Sequence, residues 1–346
     1  MFLSSLVHNL ISKTAEKEVK KFLDKAFFFS RSDNNYAEEL FLAATANTYV
    51  ETAEGKADSL HLKIKECNWE NFLDTYQEII KSYVRRLNIR SGILAFDVTS
   101  EPFYGKTTGL YTIGCENQNG YNHEFHFLVV SLINEKKQEK IPLACVPVHY
   151  GFDFGKAIRN LLALASKLFH IRFVLLDRGF YSIDVINALS GFRYIMLVPK
   201  KDQKIKDLCE KVEEAGYFYH RLFSSAALQE ALTRIVLVRD KIKIKNEEKE
   251  IVWSFATNMI FDDYYTYIEF YKKRWRIETN FRVEDEAKIK SKSIFPVIRY
   301  FYFLTSLLLH SIWLVFKKEI PFKTFLIHTY KCIMLEGLSI DQVGSC

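Results

Sequence analysis

The stretch GILAFDVTSEPFYGK, residues 92–106, decides the fold. Its apolar run from Ile93 to Phe96 leads without a break into Asp97, which reads as a buried strand ending in a carboxylate. Taking an unpaired charge out of water is expensive, so that acid must reach solvent, a cation or a metal. The same pattern returns in IRFVLLDRGF, residues 171–180, where Phe173 to Leu176 lead into Asp177. Functional groups of an α/β sheet collect at the carboxyl ends of its strands. Two such strands, if parallel and adjacent, bring their aspartates side by side.

Around these strands the spacing of apolar residues sets out a series. GILAFDV (92–98), GLYTIG (109–114) and EFHFLVVSLI (124–133) read as strands, and FGKAIRNLLALASKLF (154–169) has helical spacing. IRFVLLD (171–177) is a strand, 182–189 a helix stopped by Gly191, and FRYIMLV (192–198) a further strand. The expectation is an α/β fold with a core over 91–199 and 256–320. Residues 1–90 read as an N-terminal helical domain, a DNA-binding unit or a plain support. Residues 200–255 read as an inserted, β-rich module. A helix is expected from Asp262 to Lys290, an apolar helix over 300–316, and a C-terminal tail over 321–346.

With 346 residues, about half of them hydrophobic, the chain can bury a large interior in two or three units. A net charge of +6 favours an anionic partner without naming one. The six cysteines are scattered with no C-x-x-C pair, which argues against a zinc site or disulfide framework and fits a reducing interior. The N-terminus lacks a basic start and its apolar run is broken by His8 and Asn9, so no secretory signal is expected. YFYFLTSLLLHSIWLVF, residues 300–316, approaches the length of a membrane span. Arg299, Thr305, Ser306, His310 and Ser311 favour a helix buried in a core instead.

Two close carboxylates repel each other unless a cation lies between them. Mg²⁺ suits that position, since it takes oxygen ligands and is held by one or two carboxylates plus substrate phosphate. Taken singly, each aspartate reads as a turn residue or strand end. The matched pair balances that reading. A third acid sits in YKKRWRIETNFR, residues 271–282, where Glu278 stands among five cations. On a helix Tyr271 and Glu278 lie within about 20° of one face, with Arg274 about 40° away. Glu278 pairing with Arg274 or Arg282 on a solvated helix is the plain alternative. Asp285 competes with Glu278 from the same face. Asp153 and Asp263 read as helix caps, and His123, His126 and His149 as structural residues.

ILAFDVTSEPFYGK, FVLLDRGFYSIDVI and YKKRWRIETNFR, in that order, resemble the catalytic motifs of the DDE transposases of bacterial and archaeal insertion sequences. The match is to the group with a Y-x2-R-x3-E-x6-K signature and covers residues 91–316. The resemblance implies a ribonuclease-H-like mixed sheet flanked by helices. It implies Asp97, Asp177 and Glu278 as the metal-binding triad, Tyr271 and Arg274 as the other signature members, and two Mg²⁺ or Mn²⁺ ions. The signature lysine falls at 285, which is Asp285 here, and Lys288 lies one turn further on. Double-stranded DNA is the implied partner, contacted by Lys272, Lys273, Arg274, Arg276, Arg282, Lys288 and Arg178, with Tyr271 beside them. Trp253 and Trp275 are candidates for base stacking and for the core. A homodimer on DNA, in the cytoplasm with the nucleoid, follows from the same likeness. Rival readings are a DNA-binding remnant or repressor without chemistry and a host metal-dependent nuclease.

Overall fold

The computed structural model describes residues 2–27, 36–52, 57–106, 109–118, 120–135, 139–244, 247–274, 288–316 and 320–343. Among the described residues four α-helices come first: α1 (Phe2–Phe27), α2 (Tyr36–Ala46), α3 (Ala57–Lys65) and α4 (Trp69–Arg86). In α4, Phe72, Tyr76, Ile79, Ile80, Tyr83 and Val84 fall at threes and fours and are all buried, as one wall of the helix must be when it packs on a core. The central run follows: β1 (Ser91–Phe103), β2 (Thr112–Gln118), β3 (Tyr121–Asn134), β4 (Glu139–Val148), α5 (Phe154–Ser166), β5 (His170–Leu176), α6 (Ile183–Ala188) and β6 (Tyr194–Leu197). Then come α7 (Gln203–Lys211), β7 (Ala215–Ser224), β8 (Gln229–Ile244) and β9 (Glu247–Thr257). Residues 265–274 begin a helix, α8. The chain ends with α9 (Pro296–Phe316) and α10 (Phe322–Val343).

The described residues form one sheet of nine strands, ordered β2-β3-β1-β5-β6-β9-β8-β7, with β4 also beside β3. The inner order is β4-β3-β1-β5-β6, in which β1, β5 and β6 are parallel and β3 runs against its neighbours. That is the ribonuclease-H-like arrangement expected from the motifs. The strand beyond β3 in this order is β4, which the sequence reading passed over, whereas the expected strand at 109–114 is the short β2, paired with the other end of β3. Pro142 and Pro147 hide β4 because proline cannot donate to a ladder, and the register slips beside Pro142 at Val130/Ser131. The side of β4 away from β3 is closed by two tyrosines, with Tyr76 donating to Pro142 O at 2.8 Å and Tyr300 to Cys145 O at 2.7 Å.

Strand alternation sorts the core into two faces. Leu94, Phe96, Val174, Leu176 and Met196 point to one, in the cluster that also holds Ile158 of α5, Val185 of α6 and Ile205 of α7. Ile93, Ala95, Phe173, Leu175 and Ile195 point to the other, where Tyr267, Ile268 and Tyr271 of α8 cover them. On that second face α9 covers the β3 side, stacking Phe303 on Phe127 at 4.5 Å. The apolar helix is therefore internal, with 89% of its most apolar window buried. Helices α1, α3, α4 and α10 pack around it, so the N-terminal helices share a single core with the sheet.

Several expected boundaries are corrected. Asp97 does not end its strand, because β1 continues to Phe103 in antiparallel register with β3 as far as His123. The helix expected to reach Lys290 does not, since residues 288 and 289 are not helical and Lys290 bridges to Tyr49. Residues 200–255 carry α7 and antiparallel strands, and β9 pairs with β6, which carries the main sheet straight into them. Most of 321–346, expected as a tail, is α10 packed on α1 and α2 through Phe325, Leu326 and Thr329.

Candidate active site

Asp97 and Asp177 meet because two neighbouring parallel strands are in step. Ala95 of β1 pairs with Leu175 of β5, and two residues further on each chain carries its aspartate on the same face. Ile93, Ala95, Phe173 and Leu175 hold that face down under α8, so the register, and with it the pairing of the acids, is fixed by burial. β5 stops at Leu176, and Asp177 then turns the chain, accepting from Arg178 N at 2.7 Å as the cap of the short helix Arg178–Phe180. Asp97 accepts from Val98 N at 3.0 Å.

The last described turn of α8 supplies what sits between the acids. Arg274 Nη1 lies 3.6 Å from Asp97 Oδ1 and Nη2 lies 3.4 Å from Asp177 Oδ2, so one guanidinium spans both carboxylates. The Tyr271 hydroxyl donates to Asp177 Oδ1 at 3.1 Å. Its ring is fully buried against Phe255 at 5.5 Å and Trp253 at 6.1 Å, which fixes where that hydroxyl points. Burial pushes the Tyr271 phenol up, opposed by Arg274 and helped by Asp177, so it remains a donor. Burial also works against the Arg274 cation, but Tyr271, Asp177 and Asp97 outweigh it and leave its pKa raised.

Asp97 carries the strain of the site. Burial holds its carboxyl above the ordinary range, the positive charges of Arg274 and Lys140 pull it down, and Asp177 pushes it up again. Lys140, itself buried on β4, belongs to the site's electrostatics and escaped the sequence reading together with its strand. Both aspartates keep a path to solvent, their side chains being 27% and 34% exposed. Two carboxylates that face water and require a compensating cation are the donors a hard divalent metal takes, so the residues present fit such an ion. No group of three His, Cys, Asp or Glu side chains gathers among the described residues. Glu278, Arg276, Arg282, Asp285 and Trp275 lie outside them.

Residues 153–293 match the family model of the transposase DDE domain. Asp177, Tyr271 and Arg274 fall inside the matched stretch of the DDE domain and Asp97 precedes it. No curated protein matches the chain. Among solved structures, the crystal structure of the NurA nuclease from Sulfolobus solfataricus aligns at 11% identity and a TM-score of 0.27, over 79% of this chain and 93% of that one. A score so low says nothing of function.

The cations expected to contact DNA divide into two groups. Arg178 is exposed beside Asp177. Lys272 pairs with Asp240 at 3.6 Å, and Lys273 pairs with Glu135, which Arg172 also holds. Lys288 does not stand on a helical face towards a ligand. It pairs with buried Glu101 at 3.4 Å, and Arg299 takes the other oxygen of that carboxylate at 3.7 Å. Trp253 is core, 6% exposed, with its indole N–H on Asp240 Oδ2 at 3.2 Å, so it offers no stacking surface. Asp153 caps α5 through Lys156 N at 2.8 Å, and Asp263 accepts from Tyr265 N at 2.9 Å. His126 rests on Glu124 and His149 on a backbone carbonyl, which are structural partners.

Proposed function

We propose that the chain is a DNA transposase, a metal-dependent strand transferase that cleaves phosphodiesters at element ends and joins them to target DNA. The observation that carries this reading is the bridging of Asp97 and Asp177, from neighbouring parallel strands, by the single guanidinium of Arg274 beside the Tyr271 hydroxyl. In this reading Asp97 and Asp177 are oxygen ligands and Glu278, the third acid of the motif, closes the set. Mg²⁺ or Mn²⁺, as a pair of ions, supplies when bound the acidity that turns water or a 3′-hydroxyl into a nucleophile and the charge that steadies the leaving oxygen.

The chain's own residues do the rest. Tyr271 holds Asp177 in one orientation, and Arg274 neutralises the two acids until phosphate and metal arrive. Arg178, Arg276 and Arg282 are the proposed phosphate contacts, with Lys272 and Lys273 drawn partly away by Asp240 and Glu135. The helices of residues 1–90 serve as support for the sheet in this scheme, and residues 200–255 as an elaboration of it. Two DNA ends brought together call for a homodimer on double-stranded DNA, acting in the cytoplasm where the nucleoid lies.

Nicking of supercoiled plasmid in Mn²⁺ tests the reading. Activity in the unaltered chain that is lost in Asp97→Asn, Asp177→Asn and Glu278→Gln is the expected result. Nicking that survives either aspartate substitution, or a wild-type chain that leaves DNA intact, overturns it. Inverted repeats flanking the gene, and joined rather than merely cut products, separate a transposase from a nuclease.

A further inference from the structure

The edge of the sheet away from Asp97 and Asp177, where β1, β5 and β6 begin, carries two adjoining hollows that the chemistry above does not use. One, of about 560 Å³, is lined by Phe173, Phe192, Phe261 and Phe270 together with Arg172 and Arg193. The other, of about 400 Å³, is lined by Asn88, Arg90, Asn134, Glu135 and Arg172. Arg172 belongs to both, so the two form one groove.

Its arginines come from three strands in a row. Arg90 O accepts from His170 N at 2.9 Å and Arg193 O accepts from Val174 N at 2.8 Å, which sets Arg90, Arg172 and Arg193 at the starts of successive neighbours. Strands in a sheet lie about 4.8 Å apart, so these three residues start from closely spaced backbones along one end of the sheet. Arg172 shares Glu135 with Lys273, while Arg90 and Arg193 are exposed and make no side-chain hydrogen bond or ion pair with a described residue. Glu135 is the one carboxylate among the residues lining the two hollows, against Arg90, Arg172 and Arg193. Phe192, Phe261 and Phe270 are all partly exposed beside them.

Several phenylalanines beside several arginines match a ligand that is aromatic and anionic at once. A bare inorganic anion would leave the phenylalanines unused, and an apolar molecule would leave the arginines unpaired. We propose that this groove binds nucleotide units, the base against Phe192 and Phe261 and the phosphates on Arg193, Arg172 and Arg90. Three arginines spread over two hollows that share Arg172 suit more than one phosphate, so a DNA strand led across the far edge of the sheet is the occupant they favour over a free nucleotide. As a strand contact it rests on the reading that the chain acts on DNA.

The test uses the full chain carrying Asp97→Asn, in EDTA, so that cleavage plays no part. Binding of a fluorescein-labelled single-stranded 20-mer is followed by anisotropy at several salt concentrations, with and without Arg90→Glu plus Arg193→Glu. Melting curves confirm that the variant, altered only at exposed positions, is folded. The expected result is affinity lowered at least tenfold and a salt slope shallower by about 1.4, the loss of two phosphate contacts on a single strand. Saturation-transfer NMR with dAMP, deoxyadenosine and inorganic phosphate reads the free-nucleotide source, with dAMP alone expected to receive transfer and Arg193→Glu to abolish it. Unchanged affinity and slope with no transfer to dAMP overturn the groove. A chain that contacts dAMP but binds no strand at all overturns the DNA reading and leaves the groove's nucleotide chemistry standing.

Discussion

The Tyr271 hydroxyl donates to Asp177 Oδ1 at 3.1 Å across 94 residues of sequence, from a ring with no exposed surface. The phenol is packed like a core residue and aimed like a functional one. Tyr271→Phe keeps the packing and deletes only the donor, so the expected loss is about 1 kcal/mol in urea unfolding. Metal-dependent nicking should fall about tenfold, because the carboxylate is then free to rotate. A stability loss with undiminished nicking would make the tyrosine purely structural.

Asp97 should cost the fold stability at neutral pH. Its carboxyl is held above the ordinary value of 3.8, chiefly by burial, so the native chain binds that proton more tightly than the unfolded chain does. The unfavourable contribution is absent below 3.8 and grows as the pH rises through the raised value. In EDTA at pH 7, Asp97→Asn is expected to melt higher than the wild type, with the gap closing towards pH 4. A lower melting temperature across the whole range would show that the ion pair with Arg274 outweighs desolvation.

His310 works in the opposite direction. It is 1% exposed on α9, packed against Phe322 and Trp313, and burial, reinforced by Lys140, brings its pKa down to about 3. The unfolded chain takes up a proton near pH 6.5 that the folded chain refuses until about 3. Stability is therefore lost as the pH falls through that window, by about 1.4 kcal/mol per unit. His310→Leu should flatten the dependence between pH 6.5 and 5 in chemical unfolding. An unchanged slope in the variant would place the acid sensitivity elsewhere.

Glu101 is the strut on which Lys288 and Arg299 close. Burial lowers the pKa of Arg299, and Glu101 is the largest of the charges that oppose that shift. Removing one member of a buried ionic cluster strands the others, so Glu101→Ala is expected to cost about 3 to 5 kcal/mol. Glu101→Ala together with Arg299→Met should recover part of that loss. A loss below 1 kcal/mol in the single variant would show that water already serves these groups.

What could be read from the sequence, and what could not, divides along physical lines. The two apolar runs ending at Asp97 and Asp177 were legible because a buried strand tolerates a charge only where something receives it, and the register of β1 on β5 brings both acids to Arg274. Tyr271 and Arg274 were placed together by helical spacing alone. β4 was hidden by its prolines, and with it Lys140, whose charge bears on Asp97. The ion pair of Lys288 with Glu101 was not legible, because Lys288 lies outside any helix and Glu101 is far away in sequence. Trp253 could stack or be buried on composition, and only the pairing of β8 with β9 beneath α8 decides for burial.

The sheet is sealed at β4, where Tyr76 and Tyr300 occupy carbonyls on its outer side, whereas β7 at the opposite limit pairs with β8 alone among the described residues. A strand added in the course of descent can dock beyond β7 but not beyond β4. Such growth leaves the interval between the two aspartates untouched, so the architecture can diversify at one margin while its chemistry stays put.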